Sequence, residues 1–341
     1  MKIVVDIYGG DNSPNAMIDG AVEALAQIGG VAPDFGIVLA GDEQMIAVRL
    51  DELGCSAASA NLSVLHAPNI IDCDESPTAA IKRKPDSSLV KALRMVSEGE
   101  ADAVVSAGST GALLTGATFI VKRIKGVLRP ALAPILPTLK GPVLLIDCGA
   151  NVDSKPEYLR QFALMGSAYM QKACGINAPR VGLINNGAEA AKGNELTKSA
   201  HALLAATDEI VFTGNCEARD ILSGDYDVLV CDGFVGNVIL KHTEGMAHAL
   251  TSMLKHELMS GFTSKLGAAL SRNAFARFKM RLDYNEYGGA PFLGVNGGVV
   301  KAHGSSDAKA IASAVRQAYH YVEGGVTDAI AHAMIQSSVE D

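Results

Sequence analysis

Tryptophan is absent from this 341-residue sequence, and aromatic residues make up only 5% of it. The core must therefore be built from Ala, Val, Leu and Ile, which suits helices packed closely against a sheet. Charged residues are also scarce, at 19%, while 48% of the chain is hydrophobic, so global disorder is excluded. No run of about 18 apolar residues occurs, and no membrane-spanning helix is expected. The six cysteines (Cys55, Cys73, Cys148, Cys174, Cys216 and Cys231) form no C-x-x-C pair. That argues against a zinc site or a disulfide framework and for a reducing cytoplasm. There is no excess of cations: the formal net charge of −8 argues against a general nucleic-acid binder. The stretch Met1 to Asp6 reads as a strand, not a signal peptide. A Walker A loop, a G-x-G-x-x-G fingerprint, a G-x-S-x-G elbow and an H-E-x-x-H helix are all missing. ATP, NAD, serine-hydrolase and zincin readings lose support accordingly, and neither a metal nor a cofactor is expected.

Glycine, by contrast, is plentiful, at 35 residues with no collagen-like period. Short branched runs bounded by Gly, Asp or Asn read as buried strands: Lys2–Asp6, Gly36–Ala40, Leu62–His66, Ala103–Ser106, Val143–Asp147, Val181–Asn185, Ile210–Thr213 and Val228–Cys231. Ala-rich helical stretches such as Ala16–Ile28, Ala112–Ile124 and Pro156–Ala173 lie between them. This alternation predicts an α/β fold of three layers, α/β/α, with a mostly parallel sheet. We read residues 1–341 as one large α/β domain, with a helical arm inserted at 240–283.

Five strand ends carry polar turns: Asp6 to Asn12, Ser106 to Gly111, Asp147 to Asp153, Asn185 to Gly187 and Cys231 to Asn237. In an open α/β sheet such ends line the ligand crevice. Singly, each turn is equally explained by tight βα connections and helix caps; five together favour one site. Ser109, Thr110 and Gly111 open a helix directly after a strand, and Gly10, Asp11 and Asn12 precede another, an arrangement that suits an anion. Lys192, followed by Asn194, is a candidate for meeting a phosphate or a developing oxyanion, or else a solvated loop lysine. His303, beside Ser305, is a candidate general base or hydrogen-bond donor. Cys231 ends a buried strand and reads as an inert core thiol.

The run Asp6-Ile7-Tyr8-Gly9-Gly10-Asp11-Asn12-Ser13-Pro14 resembles the opening of the PlsX-type phosphate acyltransferases. So do Ser106 to Ala112, Arg129-Pro130-Ala131, Asp147 to Asp153, Lys192-Gly193-Asn194-Glu195, Cys231 to Val238 and the closing stretch from Tyr287 to Asp307. The motifs follow the family's order from about residue 1 to about 320. Tyr8 stands where Met is usual and Ser109 where Asn is usual; Ala188 and Ala190 replace acids, and Ala218 replaces a Gly. The resemblance implies a fold like that of isocitrate and isopropylmalate dehydrogenases. It implies transfer of a long-chain acyl group from acyl-acyl-carrier-protein to inorganic phosphate, giving acyl phosphate for phospholipid synthesis. It also implies a homodimer that touches the membrane from the cytoplasmic side and hands its product to an acyl-phosphate:glycerol-3-phosphate acyltransferase. On that chemistry, Gly10, Asp11, Asn12, Ser109, Thr110, Gly111, Asn194 and Ser305 are expected to surround phosphate. Lys192 and Asn237 would meet the oxyanion, and His303 and Asp232 would orient phosphate or manage protons. A decarboxylating dehydrogenase, a coenzyme A phosphotransacetylase and a non-enzymatic scaffold are the rival readings.

Thr251 to Arg281 departs from the acidic background. Lys255, Lys265, Arg272, Arg277, Lys279 and Arg281 face one acid, Glu257, a local net of +5. Leu254, Leu258, Phe262, Leu266 and Leu270 recur every fourth residue. An apolar stripe flanked by cations suits a helix on an anionic surface, or one packed at a dimer interface with a solvated basic face. Lys82-Arg83-Lys84 is a second basic cluster, and either could dock an acidic carrier protein.

Overall fold

The computed structural model describes residues 1–55, 61–282 and 288–339. Its first part comprises β1 (Lys2–Asp6), α1 (Asn15–Gly29), β2 (Gly36–Gly41), α2 (Glu43–Glu52), β3 (Leu62–His66), α3 (Pro77–Arg83), α4 (Ser88–Ser97), β4 (Ala103–Ser106) and α5 (Thr110–Gly116). The middle supplies β5 (Ala131–Leu132), β6 (Ile135–Pro137), β7 (Pro142–Ile146), α6 (Pro156–Lys172), β8 (Arg180–Asn185), α7 (Glu195–Ala205), β9 (Val211–Glu217) and β10 (Val228–Val230). Three helices follow, α8 (Gly233–Leu258), α9 (Phe262–Leu270) and α10 (Arg272–Leu282). The chain then returns through β11 (Ala290–Leu293), β12 (Gly298–Lys301), α11 (Ala308–Glu323) and α12 (Val326–Val339).

The strands form two sheets where the sequence pattern alone suggests one. The larger runs β3-β2-β1-β4-β12-β11-β5 and the smaller β6-β7-β10-β8-β9. Pairing is parallel except where β11 meets β12 and β5, and where β6 meets β7. The segment from β5 to β6 crosses between the sheets. Ala133 N–H donates to Pro291 O on the large-sheet side, and Leu145 N–H of the small sheet donates to Pro134 O. One core spans both sheets, from Val4, Val104 and Leu93 to Leu145, Ile184 and Leu229. A second lies under α1 and α11, and a third under α6 and α12.

Local chemistry sets the element ends. Ser87 accepts from Val90 N at the start of α4, and Asp307 accepts from Ala310 N at the start of α11. Gly20 brings α1 onto α11, since a Cβ there would lie 2.4 Å from Ala308 O. The helix expected over Ala112–Ile124 starts at Thr110 but passes into a π-helical turn over Ala117–Val121, and stops where Lys122 adopts φ 71°.

The start of α8 is the tightest joint. Asp232 caps the helix, accepting from Val235 N at 2.9 Å. Gly233 and Gly236 seat it against Asp147: a Cβ on Gly233 would lie 2.7 Å from Asp147 Oδ2, and one on Gly236 1.9 Å from Asp147 O. Gly236→Ala is therefore expected to cost about 2 kcal/mol through overpacking, against at most ~1 kcal/mol regained in helix propensity, as read from urea unfolding.

Candidate functional site

Two buried carboxylates fix the loops that surround the site. Asp6, at the end of β1, accepts from Ser88 Oγ at 2.6 Å, Ser106 Oγ at 2.7 Å and Tyr8 N at 3.2 Å. Burial pushes its pKa up, and these donors oppose the rise. Asp147, just after β7, accepts from Leu132 N at 2.8 Å, Ala150 N at 3.2 Å and Asn151 N at 2.6 Å. Asn151 Nδ2 donates both to Asp147 Oδ2 and to Pro130 O. Burial raises the Asp147 pKa as well.

Between the sheets these loops enclose a cavity of ≈ 370 Å³. Thr110, Asn237, Lys301 and His303 supply its polar wall, and Leu132, Leu136 and Leu240 are part of its apolar wall. Lys301 ends β12. Its Nζ donates to Ala107 O at 3.0 Å and to Ala302 O, and burial lowers its pKa to about 8. His303 Nδ1 accepts from Ser305 N–H at 3.2 Å and lies 2.8 Å from Ser305 Oγ. A backbone N–H can only donate, so in the neutral ring the hydrogen resides on Nε2. Burial, with Lys241 and Lys301 nearby, lowers the His303 pKa, so the ring is neutral at pH 7. Lys241 and Glu244, 2.8 Å apart, complete one side. Among the described residues, no group of three or more His, Cys, Asp or Glu could hold a metal ion.

The structure brings together only part of the expected set. Thr110, Asn237 and His303 line the cavity. Gly10, Asp11, Asn12 and Ser305 do not line it; the turn joins the loop that follows His303, where Asp11 N–H donates to Gly304 O, and Asn12 Nδ2 donates to Ser305 O and Ser306 O. Gly9 (φ 93°) permits this approach, since a Cβ would lie 2.4 Å from Gly108 Cα. Ser109 caps α5 by accepting from Ala112 N, and Gly111 packs on Pro77 of α3. Tyr8 is buried, its hydroxyl accepting from Asp42 N–H and reaching Met45 Sδ.

Asp232 and Asn194 instead line a separate hollow of ≈ 470 Å³ at the ends of β8 and β10. Asn194 caps α7, accepting from Thr197 N at 2.9 Å. Lys192 is exposed on the loop before it and lines neither space. The expected single crevice is thus two, because the first turns of α8 stand between them. Asn237 faces one, and Val235 and Val238 face the other. Cys231 is buried, which pushes its thiol well up, as an inert core thiol requires.

Of the basic triplet, Lys82 and Arg83 are exposed at the end of α3, whereas Lys84 binds Glu75 at 2.5 Å and Ile70 O at 2.7 Å. In the arm, Leu254, Phe262, Leu266 and Leu270 are exposed alongside Lys265, Arg272 and Arg277, and Leu258 is half-buried. The Lys279 side chain lies outside the described residues. The arm's first helix starts at Gly233, ahead of position 240, so the arm grows directly from the site. No helix among the described residues is long and apolar enough to cross a membrane.

Lys301, Lys241 and Glu244 were not among the residues expected from sequence. The signal for Lys301 was its place at the carboxyl end of a strand, but β12 offers only Val299 and Val300 after Gly297-Gly298, which reads as a glycine turn.

Two mostly parallel sheets covered by helices, with a polar cavity at strand carboxyl ends between them, give the α/β fold shared by phosphotransacylases and dehydrogenases. A phosphotransacetylase from Streptococcus pyogenes shares that fold at TM-score 0.59 and 17% identity, over 97% of this chain and 94% of that one. A 4-hydroxythreonine-4-phosphate dehydrogenase from Klebsiella pneumoniae shares it at TM-score 0.53 and 15% identity, over 94% of this chain and 98% of that one. The family model for the fatty acid synthesis protein matches residues 1–329. A phosphate acyltransferase of Clostridium perfringens is 48% identical over 341 residues, 100% of this chain and 99% of its own. One from Clostridium novyi is 50% identical over 330 residues, 97% of each. The chain belongs to the PlsX-type phosphate acyltransferase family.

The Lys301 environment makes a pH prediction. Its folded-state pKa of about 8 lies below the unfolded value of ~10.4, so the native state binds fewer protons in that window. The stability this confers is present above the unfolded pKa and is lost as pH falls through the folded one. The stability of the wild type relative to Lys301→Met is therefore expected to improve as pH rises from about 7.5 to about 10, in urea titrations at several pH values. A flat difference would refute the burial of this ammonium.

Proposed function

We propose that this enzyme moves the acyl group of a long-chain acyl-acyl-carrier-protein thioester to inorganic phosphate. A phosphate oxygen attacks the thioester carbonyl directly. The new C–O bond forms, the C–S bond breaks, and the carrier thiolate leaves and takes up a proton. The observation that carries this reading is the cavity wall itself: an ammonium, a neutral imidazole, a hydroxyl and an amide converge beside an apolar wall. Phosphate is already a nucleophile, so the protein's work is to hold it, align it and stabilise the oxyanion. In this reading Lys301 and Thr110 hold phosphate, His303 orients it through Nε2–H, and Asn237 donates to the oxyanion. The Gly10–Asn12 turn and Ser305, bonded around the loop after His303, together with the Ser109–Gly111 turn, keep those groups in place. Asn194 and Asp232 act from the neighbouring hollow, with Asp232 positioning Asn237 through the α8 cap, and Lys192 stands outside both spaces.

Lys82 and Arg83 end the helix whose Pro77 packs on Gly111, beside Thr110. Two exposed cations at the other end of that helix suit the docking of an acidic carrier protein. The arm, with its apolar and basic surfaces, suits the anionic inner face of the cell membrane. There, as a homodimer, the enzyme would release acyl phosphate to an acyl-phosphate:glycerol-3-phosphate acyltransferase.

The deciding assay is release of carrier-protein thiol from palmitoyl carrier protein, with and without phosphate, beside palmitoyl coenzyme A. Phosphate-dependent release from the carrier protein alone is expected; release from coenzyme A alone would favour a phosphotransacetylase. Lys301→Met and His303→Ala are each expected to lower kcat/KM for phosphate by about 100-fold or more, and Lys192→Ala by less than about tenfold. Separately, Phe262→Glu/Leu270→Glu is expected to abolish co-sedimentation with vesicles rich in anionic lipid while leaving thiol release in solution unchanged. Undiminished sedimentation would sink the membrane reading of the arm.

A further inference from the structure

The catalytic cavity does not end at its apolar wall. A larger space, ≈ 660 Å³, runs along α8 and shares Leu136, Leu240 and Glu244 with it. We propose that this space is the acyl channel, which takes the hydrocarbon tail of the thioester while its carbonyl lies in the polar cavity. The inference rests on the acyl-transfer reading above and adds to it the place and the path of the chain.

The lining has the chemistry of a lipid tail. One wall is α8, through Ile239, Met246, Ala247, Leu250 and Leu254; the other is β6 and the turn after β9, through Leu136, Ile221 and Leu222. Its volume lies within the ~300–1,000 Å³ range of ligand sites. Met246, Leu250 and Leu254 are 44%, 56% and 38% exposed, in a row four residues apart along one face of the helix. A row of that kind is left uncovered in the isolated chain, and an apolar space of this size offers water few partners. Phe278 of α10 adds an aromatic ring to the lining.

The geometry favours a thread-like occupant. From Leu240 to Leu254 the helix rises roughly 21 Å at ~1.5 Å per residue, an extended path suited to a long acyl chain. The path starts where the carbonyl would sit, beside the Lys241–Glu244 pair, and ends at the arm. Continuity with the polar cavity selects the substrate's own tail over a second copy of the chain, which would have no reason to reach Leu240 and Leu136.

The test narrows the channel midway. Ala247→Trp fills it without touching the residues assigned to phosphate or oxyanion. It would be assayed with phosphate and a series of acyl-carrier-proteins, from the shortest chain the wild type turns over to palmitoyl. Turnover of the shortest donor is expected to stay within about twofold of the wild type, while kcat/KM for palmitoyl falls by about tenfold or more. An equal loss at every chain length, with or without a change in oligomer mass, would overturn the proposal. So would unchanged palmitoyl turnover. The intact wild type supplies an independent measurement, with a palmitoyl carrier protein bearing a diazirine near the methyl end. Cross-links are expected within Met246–Leu254, and cross-links confined elsewhere would overturn the channel. If the wild type released no thiol from any donor, the acyl-transfer reading would fail on its own, and the cross-link map would still judge the channel.

Discussion

Everything that works at this site hangs on one buried carboxylate. Asp147 accepts hydrogen bonds from the strand that crosses between the sheets and from the turn that follows its own strand. Its backbone and side chain are also the surface on which Gly233 and Gly236 seat α8. Three separate pieces of chain thus meet at one group that would be costly to bury without partners. The crossing strand delivers Leu132 and Leu136 to the cavity, and α8 delivers Asn237, Leu240, Lys241 and Glu244. Asp6 does the corresponding service for the large sheet, holding the ends of β1 and β4 against α4 through Ser88 and Ser106. Neither carboxylate lines the cavity; both act by fixing the loops that do.

The electrostatics follow from that scaffold. A lysine ammonium at the floor of a half-enclosed cavity carries a desolvation cost, seen in its lowered pKa, which backbone carbonyls only partly offset. In the proposed reaction an arriving phosphate dianion would relieve that cost. His303 is kept neutral by the same burial and by its cationic neighbours, so it offers a donor instead of a second charge. Lys301, a second lysine already paired with Glu244, and several neutral donors would suit the proposed phosphate, which must be bound yet remain nucleophilic.

How much of this was legible in the sequence depends on how local the signal was. The strands from Lys2 to Asp6 and from Gly36 to Gly41 could be read because apolar residues form an unbroken run between turn residues. β5 and β6 are two and three residues long, and β11 carries a proline, so none stands out against its loops. They are the strands that join the two sheets, which is why one sheet was expected. His303 was legible from the Gly-Ser-Ser that follows it, whereas Lys301 was hidden in a strand with only two branched residues behind a Gly-Gly pair. Asp232 and Asn194 were placed at the site for their residue type, yet each spends a carboxylate or amide oxygen on capping a helix. The apolar space along α8 had no local signal at all. Its walls come from near residues 136, 221 and 250, and only the fold brings them together.

The length of α8 is then the last piece of the arrangement to be explained. Its 26 residues rise about 39 Å at ~1.5 Å each, far more than is needed to bring Asn237 to the cavity. Its first turns are clamped on Asp147, its middle borders the apolar space, and its end carries the arm, where Phe262 and Leu270 are 84% and 83% exposed. Apolar surface on that scale calls for an apolar partner. In the reaction proposed above, both the donor's tail and the product's tail are hydrocarbon. A single helix that sets Lys241 and Glu244 beside the cavity and Met246, Leu250 and Leu254 along the apolar space beyond it would give that tail a continuous path, so the chain need not cross open water between the cavity and the surface the arm would meet.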